Sequence, residues 1–166
     1  SLTSAEGLVL PETINGSLKL DGLTSAEGLV LPQVIDRVLD LNGLKSAKGF
    51  VLPQKFNGCL YLKSLTRVEG LVLLNEMYNL DFSSLKSAKG LILPNKISGF
   101  LNLSGLTNAE GLVLPKEIGL WVDLSNLKST DGLHVPEAIV GKLVLPANLE
   151  LTEENIIRED KKVHKK

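Results

Sequence analysis

The chain has 166 residues, is 43% apolar, and is almost neutral, with 18 basic and 19 acidic residues. That length and apolar content suit one globular domain with a sizeable core and exclude a disordered chain. The balanced charge gives no whole-chain attraction to nucleic acid, the longest apolar runs are four residues and exclude membrane insertion, and the single Cys59 allows no internal disulfide.

Leu2 opens a 21-residue unit, LTSAEGLVLPETINGSLKLDG, that is written seven times, with later copies starting at Leu23, Leu44, Leu65, Leu85, Leu106 and Leu127. A fixed short period is the mark of a solenoid in which each copy is one coil stacked on the last. The chain starts at Ser1 without a methionine or a signal peptide, which is expected of a processed start or of a piece of a longer protein, and localisation stays open. The first coil has no polar cap, so its edge is expected to be covered by further repeats or by a second chain.

Within each copy the elements follow in a constant order. Thr3, Thr24, Lys45, Thr66, Lys86, Thr107 and Lys128 form a polar corner column, whose lysines spoil the flat threonine array of an ice-binding solenoid. The next charged column reads Glu6, Glu27, Lys48, Glu69, Lys89, Glu110, Asp131, and this alternation predicts a charge ladder between stacked coils. Gly7, Gly28, Gly49, Gly70, Gly90, Gly111 and Gly132 predict a corner with positive φ. A three-residue apolar strand such as Leu8-Val9-Leu10 follows and is closed by a proline column, Pro11 to Pro136, broken only by Leu74. Its central residues, Val9, Val30, Val51, Val72, Ile92 and Val113, should face out as an apolar ribbon suited to self-association.

The second strand alternates, as in Leu18-Lys19-Leu20, and should place leucines inside and the residues between them outside. In the first copy the inward set is Leu2, Ala5, Leu8, Leu10, Ile14, Leu18 and Leu20, and the Ile14 column continues through Ile35, Phe56, Met77, Ile97, Ile118 and Ile139. The fourth copy, Leu65 to Ser84, lacks one residue before Leu80 and predicts a local irregularity. Residues 1–147 therefore read as a repeat solenoid and 148–166 as a C-terminal cap and basic tail. The cap is predicted as a short helix after Thr152, with Leu149, Leu151, Ile156 and Ile157 covering the last coil. The Lys161–Lys166 ending reads as a solvated tail, without a nucleic-acid partner.

The pattern I-x-G-x-L-x-L, as in Ile14 to Leu20 and Ile97 to Leu103, resembles the repeat of receptor L-domain-like modules, relatives of leucine-rich repeats. The resemblance implies an all-β, right-handed parallel β-solenoid of seven coils. It also implies a binding or scaffolding module, of a kind often found on bacterial surfaces, and brings no catalytic residue. The asparagine that usually follows L-x-L is present directly only at Asn42, and the constant G-L-V-L-P strand departs from the family pattern.

Little in the chain suggests chemistry. His134 stands in a valine column, His164 lies in the tail, and Cys59 has no histidine on an adjacent copy to act as its base. Asp40, Asp81 and Asp123 share a column but skip alternate coils. Their spacing of about 10 Å exceeds that of a retaining carboxylate pair. No metal, cofactor or enzymatic activity is expected; a β-helix carbohydrate-active enzyme is the least favoured alternative.

The outward face of the second strand is the best functional candidate. Its first column reads Ser17, Val38, Cys59 and, past the shortened copy, Phe100, Trp121 and Lys142. Its second reads Lys19, Asp40, Tyr61, Asp81, Asn102, Asp123 and Val144. Tyr61, Phe100 and Trp121, interleaved with Asp81, Asn102 and Asp123, suit stacking and hydrogen bonding to a protein, peptide or glycan ligand. A purely structural spacer or stalk is the competing reading.

Overall fold

A computed structural model describes residues 2–136 and 140–157. Each of the seven coils contributes one strand to a single parallel sheet. In chain order the strands are Leu18–Lys19, Val38–Asp40, Cys59–Tyr61, Asn79–Asp81, Leu101–Asn102, Trp121–Asp123 and Lys142–Val144. They stack in sequence order and in register, so Leu18, Leu39, Leu60, Leu80, Leu101, Val122 and Leu143 form one rank. Shorter parallel ladders run just before this sheet. They join Thr13–Ile14 to Val34–Ile35, and Glu76–Met77 to Lys96–Ile97 and Glu117–Ile118. The fold is an all-β parallel solenoid with almost no helix.

The inward columns form one continuous core. In the third coil Leu44, Ala47, Phe56, Leu60 and Leu62 are all buried, whereas in the first coil Leu8, Leu10 and Ile14 are half-buried and Leu2 is 46% exposed. The corner glycines all adopt φ between 70° and 82°, as the column predicts. This left-handed conformation is costly for residues with a Cβ. It brings the amide of Leu8 onto the Ala5 carbonyl, 3.0 Å away, and the same turn recurs as Leu29 to Ala26 and Phe50 to Ala47.

Two sequence expectations are corrected at this corner. The G-L-V-L-P segments alternate as predicted, but they do not form a ladder. Among the described residues their pairings between coils come only at the C-terminal end, Val113 with His134 and Val135–Pro136 with Ile156–Ile157. The reason is local: the first amide of each segment is engaged in the glycine turn, and in every copy but the fourth, which has Leu74, the residue after the segment is a proline with no N–H. Too few donors remain to hold the rungs together. A groove of about 730 Å³ opens between residues 29–34 and 51–55, and a smaller one of about 290 Å³ between 71–75 and 92–95. The charge ladder is also absent, since Lys48 and Lys89 make no ion pair with the flanking glutamates. Instead the backbone there is closed by side chains two residues back. Ser4, Ser25, Ser46, Ser87 and Ser129 each accept from the following i+2 amide, with Asn108 in the same role. An alternating charge column exists elsewhere, at Lys55, Glu76, Lys96 and Glu117. Lys96 and Glu117 are 3.0 Å apart there, and this hydrogen-bonded carboxylate raises the Lys96 pKa.

The shortened fourth coil is repaired by one side chain. In regular coils the first strand residue donates to a backbone carbonyl one coil back, as Cys59 does to Arg37 at 2.8 Å and Lys142 to Leu120 at 2.9 Å. Phe100 has no such carbonyl beneath it, because the residue that would supply it is missing between Tyr78 and Asn79. The Asn79 Oδ1 accepts the Phe100 amide instead, at 2.8 Å, and its Nδ2 donates to Cys59 Sγ at 3.2 Å. Gly99 completes the repair, because a Cβ there would collide with the Asn79 amide group.

The C-terminal cap is smaller than predicted. One 3-10 turn, Glu153–Asn155, leads into a strand, Ile156–Ile157, that pairs in parallel with Val135–Pro136. The segment therefore continues the solenoid as a partial eighth rung. Asn155 is its plug: it is buried, its Nδ2 donates to the carbonyls of Thr130 and Leu133, and its Oδ1 accepts from Thr152. Leu149, Leu151 and Ile156 pack on the core, whereas Ile157 is exposed. The predicted positions Ile139 and Lys161–Lys166, with His164, lie outside the described residues.

Asn79→Ala should leave the part-buried Phe100 amide without its partner and destabilise the fold by about 1 kcal/mol, read as a lower urea midpoint. An unchanged midpoint would contradict this account of the fourth coil.

Candidate functional site

The sheet's outer face presents two columns of side chains. A parallel, in-register sheet sets like positions about 4.8 Å apart, close to the thickness of stacked rings. Phe100 and Trp121 occupy consecutive coils of the first column, and their rings lie parallel, with centroids 4.7 Å apart and planes 6° from each other. Both are half-buried, with Lys142 in register beyond Trp121. Asn79 stands on the other side of Phe100, where sequence reading left a gap.

The second column is in register from Lys19 through Asp40, Tyr61, Asp81, Asn102 and Asp123 to Val144. Its acids are tied to their own turns. The Oδ1 atoms of Asp40, Asp81, Asn102 and Asp123 accept from the amides of Asn42, Ser83, Ser104 and Ser125 at 2.9–3.1 Å. Each closes the chain after the strand, as Asx turns do. Asp81 is buried, only 6% exposed, while Asn102 and Asp123 are half-buried.

The structure thus brings Phe100 and Trp121 together beside Asn102 and Asp123. Tyr61 is not with them: it lies in the other column, between Asp40 and Asp81, two coils before Phe100. Its ring instead takes the Lys63 ammonium at 5.9 Å from the centroid. Desolvation raises the Tyr61 pKa, and the neighbouring Cys59 and the Asp81 and Asp40 carboxylates push the same way.

Three exposed apolar residues in the segments before the sheet strands were not read from the sequence: Tyr78, Leu120 and Val140, at 46%, 54% and 76% exposure. The signal was present. Leu120 and Val140 stand where the first three coils carry Gly16, Arg37 and Gly58, and Asn15, Asp36 and Asn57. An apolar side chain that the repeat does not require is worth marking. The valine ribbon also faces out, from 90% exposure at Val9 to 53% at Val113, with exposed His134 after it. Among the described residues, no cluster of three His, Cys, Asp or Glu side chains is placed to hold a metal ion.

Comparisons of the chain with protein-family models, curated proteins and solved structures return no match. The likeness to receptor L-domain-like modules therefore stands at the level of a solenoid repeat and goes no further.

Because Tyr61 has a raised pKa in the fold, the folded chain holds its phenolic proton where the unfolded chain has lost it. Its stabilising contribution is complete below the ordinary tyrosine pKa of 10.0 and is lost as pH rises through the higher folded value. Stability should fall as pH rises from 10.0 through the higher folded value, and Tyr61→Phe should flatten the fall. Equal slopes for both chains in urea melts across this range would contradict the assignment.

Proposed function

We propose that this chain is a non-catalytic recognition or scaffolding module whose protein, peptide or glycan partner docks on the sheet face at Phe100 and Trp121. The observation that carries the reading is the stacked, half-exposed aromatic pair. A solenoid needs nothing aromatic at these positions, since Ser17, Val38 and Cys59 serve the same column in the first three coils. Rigid aromatic side chains lose little entropy on binding and anchor many interfaces. Exposed Leu120 directly precedes Trp121 in the chain, and Lys142 adds a cation in register with Trp121.

The alternative, a spacer or stalk, draws support from the second column. Its acids and Asn102 serve their own turns rather than pointing unengaged to solvent.

Titration with glycan and peptide panels, followed by Trp121 fluorescence, separates the two. The recognition reading expects a saturable ligand whose affinity falls at least about 10-fold in Trp121→Ala and in Phe100→Ala, a loss of about 1.4 kcal/mol. Affinity unchanged in both folded variants would move the site elsewhere.

A further inference from the structure

The valine ribbon lies on a different face from the aromatic pair, and among the described residues nothing covers it. Its rungs are not zipped together, its side chains are exposed, and grooves open between its coils. The charged corner beside it makes no internal ion pairs, since Lys48 and Lys89 sit between glutamates without pairing to them. A repeat that alternates charge without pairing it internally leaves those charges for an outside partner.

We propose that this partner is a second copy of the chain, packed ribbon to ribbon in antiparallel orientation about a two-fold axis. The periodicity favours a second copy, because only a surface repeating at the coil spacing can match the ribbon along its length, about 24 Å between end residues. With the axis lying across the ribbon, corner faces corner, and the first coil lies over the sixth. Val51 then meets Val72, Val30 meets Ile92, and Val9 meets Val113. A two-fold contact repeats every pair, so the surface is self-complementary.

The charged corner selects this register. With the first coil over the sixth, Lys48 faces Glu69 and Glu27 faces Lys89, against one like pair, Glu6 with Glu110. Sliding one coil so that the first lies over the seventh makes every pair alike. Glu6 meets Asp131, Glu27 meets Glu110, Lys48 meets Lys89, and Glu69 meets its own copy. Sliding the other way sets Lys48 on itself and Glu27 on Glu69, against one opposite pair, Glu6 with Lys89. Like charges across an interface act against wrong registers more strongly than opposite charges add affinity. The ribbon is one residue wide, below the roughly 800 Å² per partner of a standard interface. The dimer is therefore weak and depends on concentration.

Sedimentation equilibrium of the full chain tests this. The wild type should rise from 17.9 kDa toward twice that mass as concentration approaches about 100 µM. Val51→Lys with Val72→Lys opposes four lysines at the centre and should weaken association at least about 100-fold. These positions are exposed, and unchanged circular dichroism verifies the fold. Lys48→Glu alone and Glu69→Lys alone should each weaken it about 10-fold. An equimolar mixture of these two variants should associate like the wild type, because each then faces its opposite charge. A wild type that stays monomeric at about 100 µM overturns the proposal. So does an oligomer indifferent to the lysine pair, or a mixture that shows no rescue.

Discussion

Hydrogen bonding from each coil to the next, in register along one sheet, is the constraint on which the rest of this molecule depends. Leu41 donates to Tyr61, Leu62 to Asp81, Phe82 to Asn102, Leu103 to Asp123 and Leu124 to Val144, all at 2.9–3.0 Å. Once those bonds are set, every outward position becomes a rank with about 4.8 Å between members. Phe100 and Trp121 stack because of that spacing. The Asx turns at Asp40, Asp81, Asn102 and Asp123 exist because each strand must end and turn at the same point. The fourth coil shows how strict the constraint is. One missing residue removes one carbonyl, and the sheet continues because the Asn79 amide stands in for it.

The opposite side of each coil follows a different rule. There the glycine turn and the proline limit the donors available, and packing of alternate leucines replaces hydrogen bonding. Burying a leucine side chain is worth about 1.5–3 kcal/mol, so the inward residues hold this side in place without a ladder. The consequence is asymmetry. One face is zipped and displays variable side chains, while the other is open and displays a constant valine. A variable face suits a specific ligand, and a constant face suits another surface with the same repeat.

Much of this was legible in the sequence, because repetition turns a weak local signal into a column. The positive φ of the glycines, the inward leucines and the outward registers all follow from stacking seven copies. The physics that was missed acts between neighbours and needs coordinates. A repair by Asn79 depends on where its amide reaches. The corner charge column looked like a ladder because sequence order makes its members neighbours, but Lys48 and Lys89 form no ion pair with the glutamates on either side. The acids looked like ligand contacts, although Asp40-Leu-Asn, Asp81-Phe-Ser and Asp123-Leu-Ser spell the i to i+2 spacing of an Asx turn. The predicted helix after Thr152 became a single 3-10 turn, because Ile156 and Ile157 gain more as a strand on Val135 and Pro136 than as a second helical turn.

The central claim is that stability and register reside in the sheet and not in the valine segments. Native-state hydrogen exchange, read amide by amide in the chain carrying Val51→Lys and Val72→Lys to keep it monomeric, tests this directly. The account predicts strong protection at Leu41, Leu62, Phe82, Leu103 and Leu124, and fast exchange at Val30 and Ile92. Equal protection on both sides of the coil, or slower exchange at the valine segments, would contradict it.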